Sequence, residues 1–306
     1  MKKQTEKIKL GSYTWYALNK PNAKELAHLA NQFNLPHLVL KEAIPSIQRP
    51  KLIAKGHYLF VVLLYPIFNK NKFILKSSEI DYFIGKNFVI TIHQNNKVIK
   101  DLFKKTQKDQ QTRKSYINQP IALLADIAEL SLDPCWEILN SINNQILKIN
   151  SKILNISNKT TLMSILETRI LITHMQKIMR NHRKIILRLE EQASSLVRFE
   201  THTKDHLNHT IYMLTDIWDN LMSYENTVQS LQQTYESAAT HKLNNIVKIL
   251  TIFSAVVLPS TLIASIFSMK NLPEELLSSL YFWPAIAIML LLDLILFIFF
   301  KTKKWL

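Results

Sequence analysis

Apolar positions fall into three regimes along the chain. Between Tyr13 and Gln119 the pattern is mixed. Leu26, Leu29, Ala30 and Phe33 recur at helical spacing, which predicts a helix over Pro21–Phe33. Tyr58–Ile67 and Phe88–His93 are runs of β-branched and aromatic residues and predict strands. Lys72–Leu75 and Ser78–Ile84 predict two more, with turns at 69–71 and 85–87. These pieces make a small sheet with helices packed on it, followed by a polar, lysine-rich helix over 97–114.

From Ile121 to Leu250 the pattern changes. No glycine occurs there, and proline only at Pro134. Leu139, Ile142, Ile146, Ile149 and Ile153 step by three and four, as do Leu214, Ile217, Leu221, Tyr224, Val228 and Leu231. This predicts long amphipathic helices, broken near 155–159 and again near 199–203. The last of them runs without a stop signal into the third regime, two apolar spans over about 246–267 and 280–300. Each has the length to cross a hydrocarbon core of ~30 Å at ~1.5 Å per residue. The expected organisation is an α+β domain over residues 1–120, long helices over 121–245 and a transmembrane hairpin over 246–306.

Charge sets the orientation. Lys242 and Lys248 precede the first span and Lys301, Lys303 and Lys304 follow the second, whereas the turn sets Lys270 against Glu274 and Glu275. Positive flanks stay cytoplasmic, so both termini are expected inside a cytoplasmic (inner) membrane, with membrane lipid as a partner. No apolar run follows the lysine-rich N-terminus, so no secretory signal is expected. The net charge of +15 is concentrated in residues 1–120, which hold 21 Lys/Arg against 7 Asp/Glu. Those lysines are dispersed and carry no aromatic stacking motif, so a surface near anionic lipid is preferred over a nucleic-acid partner.

Composition removes other classes. Three glycines cannot supply a phosphate-binding loop, which argues against a nucleotide-driven pump. The single cysteine, Cys135, excludes an intrachain disulfide and sits on an amphipathic helix, where a buried inert thiol is expected. No Ser/His/Asp or Cys/His arrangement stands out, and no enzyme or bound cofactor is expected.

Three groups carry candidate chemistry. On the first span Asn244, Thr251, Ser254, Leu258, Thr261, Ser265 and Ser268 lie near one stripe. Hydroxyls there serve either close helix packing or a pore lining, with Leu258 an apolar constriction. One helix encloses no pore, so the second reading needs several copies. Asp293 is a carboxylate inside the second span; it is either functional or bonded to Thr251 or Ser254 of the first. His202, His206 and His209, with Asp205 adjacent, repeat at i, i+4, i+7. That face is either solvated or a site for Zn²⁺, Co²⁺ or Ni²⁺.

Several motifs in order resemble the CorA-type magnesium transporters over nearly the whole chain. Glu79–His93 (EIDYFIGKNFVITIH) is similar to the family's E-[IL]-D-x-F-[IL]-G-x-N-[FY]-[LIV]-[IV]-T-V-H stretch, and Gln48–Lys51 (QRPK) to its Q-R-P-K turn. Asn244–Thr261 resembles its first span, Leu272-Pro273-Glu274 the start of its outer loop, and the ending Lys303-Lys304-Trp305-Leu306 is shared by many members. The resemblance implies a homopentameric funnel. Its parts are an αβα cytoplasmic domain, a long stalk helix continuous with the first span, and a second span outside it. It implies a pore for divalent cations, and Asn244, Leu250, Leu258 and Thr261 match pore-lining positions. Ser254 and Ser265 join them from the stripe. A divalent metal ion is then the transported or the regulatory species.

Two departures accompany the resemblance. Where the family closes its first span with Gly-Met-Asn at the outer mouth, this chain has Ser268-Met269-Lys270, followed by Asn271. Either Lys270 takes the asparagine's place or it is inserted and Asn271 does. Ungapped matching also puts Gln233 and His209 at acidic stalk positions, with Glu42 near a surviving acid. The chain is therefore a divalent-cation transporter, a non-conducting scaffold or sensor, or a pore of altered ion selectivity.

Overall fold

A computed structural model describes residues 5–36, 48–70, 73–153, 159–196, 200–268 and 279–303. The chain separates into two compact units. One comprises Met1–Lys152 and Asn158–Leu231, the other Ile153–Ser157 and Gln232–Leu306.

The first unit is built on six strands: β1 (Thr5–Leu10), β2 (Tyr13–Asn19), β3 (Lys51–Lys55), β4 (Tyr58–Asn69), β5 (Ile74–Gly85) and β6 (Phe88–His93). Their spatial order is β1-β2-β6-β5-β4-β3. β2 runs parallel to β6 and the other neighbours are antiparallel. β1 and β2 turn through Gly11-Ser12; Gly11 has φ +67°, and a Cβ there would collide with the Asn118 side chain. The Asn118 Oδ1 accepts from the Ser12 N–H at 2.7 Å.

Both sheet faces are covered. On one, Phe60, Val62, Phe83, Ile90 and Ile92 bury against Leu26, Leu29 and Ala30 of α1 (Ala23–Phe33). Asn22 caps α1: its side chain accepts from Glu25 N–H at 2.9 Å, while Glu25 answers to the Asn22 N–H at 3.0 Å. On the other face Trp15 meets Phe103 of α2 (Lys97–Lys108), ring centroids 5.0 Å apart, and donates to Thr91 Oγ1 at 3.0 Å. After α3 (Gln110–Ser115), helices α4 (Pro120–Leu132), α5 (Pro134–Asn150), α6 (Lys159–Met179) and α7 (His182–Leu196) pack on β3–β5. The unit is an αβα sandwich. Cys135 is fully buried on α5, and burial pushes its thiol up to about 12, so it is inert as expected.

Two expectations are corrected in detail, and three strands are added. The two strands read at 72–75 and 78–84 are one, β5, paired with β4 from Tyr58↔Gly85 to Asn69↔Ile74. The lysine-rich helix breaks at Asp109, whose carboxylate accepts from the Gln111 and Thr112 N–H groups and starts α3 afresh. Strands β1, β2 and β3 were not anticipated. β1 and β3 are lysine-bearing edge strands with only one face to bury, and so carry a weak apolar signal.

The family-like segment places two acids inside the sheet. In the β4–β5 register Phe83, Asp81 and Glu79 face Phe60, Val62 and Leu64, so both carboxyls sit among the residues that meet α1. Asp81 is 2 % exposed. Burial first, then the Glu79 charge, pushes its pKa from 3.8 to about 9, against an opposing pull from Lys51. Burial raises Glu79 as well, moderated by the Gln48 N–H, which donates to it at 2.5 Å. The pair holds one proton on Asp81, shared toward Glu79.

Between about pH 4 and 9 the folded chain thus keeps a proton that the unfolded chain has released. The folded pKa is raised, so stability falls as pH rises through this window, by at most ~1.4 kcal/mol per pH unit. Asp81→Asn keeps a donor for Glu79 and removes the ionisation. Urea unfolding at about pH 5, 7 and 9 is expected to show that slope in the parent and a flatter profile in the variant. An unchanged slope would refute the shared proton.

Candidate functional site

Helix α8 spans Thr201–Phe267 with one internal proline, Pro259. Its first part belongs to the αβα unit. There Leu207, Met213, Leu214, Ile217, Leu221, Val228 and Leu231 are buried along one stripe. In the second unit the same helix turns apolar and has almost no cover. Leu243, Ile246, Val247, Leu250 and Leu258 are each more than half exposed. Among the described residues this is the one helix long and apolar enough to cross a membrane. A second apolar helix, α9 (Ser279–Thr302), carries Asp293 as its one acid.

The expected lining residues lie on or just past this largely uncovered stretch of α8. Asn244, Leu250, Leu258, Thr261 and Ser265 are exposed and Ser254 is half-buried; Ser268, just past the helix, is exposed too. Met269, Lys270 and Asn271 of the expected outer mouth, and Glu42, fall outside the described residues.

The hydroxyls are not idle. Thr251 Oγ1 donates to Val247 O at 2.8 Å, Thr261 to Val257 O at 2.8 Å and Ser265 to Thr261 O at 2.7 Å. A hydroxyl whose proton is committed to its own helix presents only oxygen lone pairs outward. Such a surface solvates cations, and it is also cheaper to bury than the bare sequence suggests. Asp293 is bonded as the second of its two readings anticipated, but to a different partner. Ser260 Oγ donates to its Oδ1 at 2.6 Å, in place of Thr251 or Ser254. Ser260 lies off the stripe, so Asp293 does not face the same way as the lining candidates.

In the αβα unit the histidine face is not bare. His206 Nδ1 lies 3.1 Å from Asp126 Oδ1, and His209 Nδ1 lies 3.4 Å from Glu129 Oε1. The His202 ring lies tilted against that of His206, centroids 4.5 Å apart. Tyr116 donates to Asp126 Oδ2 at 2.6 Å. Asp205 is exposed and outside the group formed by Asp126, Glu129 and His206, whose ligand atoms lie within 4.8 Å of one another. Asp126 and Glu129 were missed in the sequence. Their signal was available: an i, i+3 acid pair on α4, whose positions 120–125 are all buried and apolar.

Residues 11–303 match the family model described as "CorA-like Mg2+ transporter protein". The chain belongs to the CorA family. It is 26 % identical over 299 residues to the cobalt/magnesium transport protein CorA of Thermotoga maritima, covering 96 % of this chain and 83 % of that one. It is 23 % identical to a putative metal ion transporter of Bacillus subtilis, covering 98 % and 92 %. The complete structure of the CorA magnesium transporter from Methanocaldococcus jannaschii superposes with a TM-score of 0.79 at 19 % identity, covering 96 % and 92 %. Full-length CmaX gives 0.70 at 15 % identity, covering 96 % and 89 %. Membership of the CorA family makes this chain one of a class of divalent-cation transporters, channel-like membrane proteins and not enzymes.

The Ser260–Asp293 bond ties the two apolar helices of this CorA-family chain together. Ser260→Ala leaves Asp293 without its donor and is expected to destabilise the detergent-solubilised protein by ~1–3 kcal/mol. Asp293→Leu in that background should restore part of the loss. Thermal unfolding of both variants and the double variant checks this; additive losses would mean the bond contributes nothing.

Proposed function

We propose that this chain assembles as a homopentamer in the cytoplasmic membrane, both termini inside. In this reading it conducts divalent cations down the membrane potential. The lining is Asn244, Leu250, Ser254, Leu258, Thr261 and Ser265, one set from each subunit. What most supports this reading is the exposed stripe of back-bonded hydroxyls on an apolar, uncovered helix. Oxygen lone pairs replace part of a cation's hydration, and several copies are needed to close a ring of them. No nucleotide is required: a divalent ion crossing 100 mV gains ~4.6 kcal/mol. The names of its relatives direct the choice of ions to magnesium and cobalt first, with nickel and zinc as further candidates.

A second reading rests on one residue. In the ungapped match Lys270 takes the place of the family's asparagine at the outer mouth. At ~8 Å each of five ammonium groups costs a divalent ion roughly 1 kcal/mol even in bulk water. A non-conducting scaffold or sensor fits such a barrier, as does a pore with altered selectivity.

Flux into proteoliposomes, comparing Mg²⁺, Co²⁺, Ni²⁺ and Zn²⁺, separates the readings. Lys270→Asn is expected to raise Mg²⁺ flux by at least ~10-fold, since ~1.4 kcal/mol of relieved repulsion suffices for that. Parent flux should rise with ionic strength while the variant's changes little. A parent silent toward all four ions beside a Lys270→Asn variant that conducts Mg²⁺ would favour the scaffold. Equal flux in both would place Lys270 away from the ion path.

A further inference from the structure

The αβα unit holds a second donor set of different chemistry from the membrane helix. We propose that Asp126, Glu129, His206 and His209 form a transition-metal site within a single subunit, suited to Zn²⁺, Co²⁺ or Ni²⁺ rather than Mg²⁺.

Two helices build it. On α4 Asp126 and Glu129 stand one turn apart, on a helix whose remaining turns are occupied by core residues such as Ile121, Leu124, Ile127 and Ala128. Burial of that apolar face fixes the rotation of α4 and so fixes where the two carboxylates point. On α8 His206 and His209 stand one turn apart beside Leu207 and Thr210, both fully buried, which fix α8 in the same way. The Thr210 hydroxyl donates to His206 O at 3.0 Å, and Thr203 Oγ1 donates to Gln119 Oε1 at 3.0 Å, joining α8 to the residue that precedes α4. The four donors are therefore carried on two regular helices whose packing is set by core residues.

The two cross-helix contacts fall near the spacing of a coordination sphere. Ligand atoms at ~2.0–2.2 Å from a tetrahedral Zn²⁺ are ~3.3 Å from one another. The two cross-helix pairs stand at 3.1 and 3.4 Å. Asp126, Glu129 and His206 hold their ligand atoms within 4.8 Å of one another, and His209 joins them through its 3.4 Å contact with Glu129. Tyr116 supplies the outer shell. Its hydroxyl occupies Asp126 Oδ2 and leaves Oδ1, the atom nearest His206, as the ligand. Two imidazoles and two carboxylates are a borderline-soft set; Mg²⁺ prefers oxygen alone and keeps its waters.

The competing account needs no metal: two half-exposed His–carboxylate pairs, each contributing ~0–1 kcal/mol. Binding of Co²⁺ to the full-length protein in detergent distinguishes them, because tetrahedral cobalt with nitrogen and oxygen ligands absorbs visibly and hydrated cobalt hardly does. One equivalent per chain of intense visible absorption is expected, displaced by Zn²⁺ and not by a large excess of Mg²⁺. His206→Ala and, separately, Glu129→Gln should each weaken the affinity at least ~10-fold, a loss of ~1.4 kcal/mol. Lys270→Asn should leave the spectrum unchanged. Absence of the absorption in the parent overturns the site, as does an unchanged cobalt affinity in a folded Glu129→Gln variant. The readout is a spectrum, not flux, so a chain that conducts nothing can still hold this site and a conducting chain can lack it.

Discussion

Hydrocarbon leaves a backbone amide no partner but its own chain. That constraint governs α8 from Ile246 onward, where no charged side chain follows Lys248 until Lys270. A helix satisfies it, and the absence of glycine throughout 121–306 keeps that helix from breaking. Pro259 is the exception. It removes one N–H and leaves the Ala255 carbonyl without its helical donor, at the depth where Ser260 and Asp293 supply polar groups. The weak point of the ladder thus coincides with the polar tie between the two apolar helices. Placing both in one turn confines the polar cost to a single level.

The αβα unit obeys the opposite rule, in which water solvates whatever the core rejects. Its core accepts two carboxyls only because they hold a proton between them and take a backbone donor from Gln48. Asp81 and Glu79 lie two and four residues before Phe83 in β5, so pleat geometry alone directs them to its face, toward α1. Replacing them with apolar residues would be expected to favour stability, by analogy with buried ion pairs. Their presence specifies register instead: a one-residue slip of β5 would turn both acids to the opposite face and Tyr82 toward α1.

Much of this was legible in the chain. Tyr58–Ile67 and Phe88–His93 announced central strands because residues buried on both faces need no polar alternation, and β4 and β6 are buried almost throughout. The long helices and the first apolar span were legible because their periodicity runs for many turns. The edge strands β1 and β3 were not, since Lys7 and Lys9 in one and Lys51 and Lys55 in the other interrupt their short apolar patterns. The candidate lining was readable from helical spacing within a single segment. Half of the histidine–carboxylate cluster was not, because Asp126 and His206 are 80 positions apart and nothing local connects them. Only the packing of α4 beside α8 does. Asp293 failed for a smaller reason: spacing gave its depth but not the rotation of α9.

Donor chemistry separates the two units more sharply than composition does. The membrane helix offers hydroxyl oxygens whose protons are already committed, a hard and uncharged surface. Such a surface holds a cation weakly enough to release it, which conduction demands and storage does not. The α4–α8 cluster offers imidazole and carboxylate together, a charged set that favours ions late in the divalent series and holds them longer. A ligand acts on a conformational equilibrium only through its differential affinity for the two states. A tight cluster that joins two helices discriminates between their packed and separated arrangements far better than a weak hydroxyl stripe can. In the readings proposed above, control of this chain by a transition metal falls to α4 and α8, and passage through the membrane to the hydroxyl stripe.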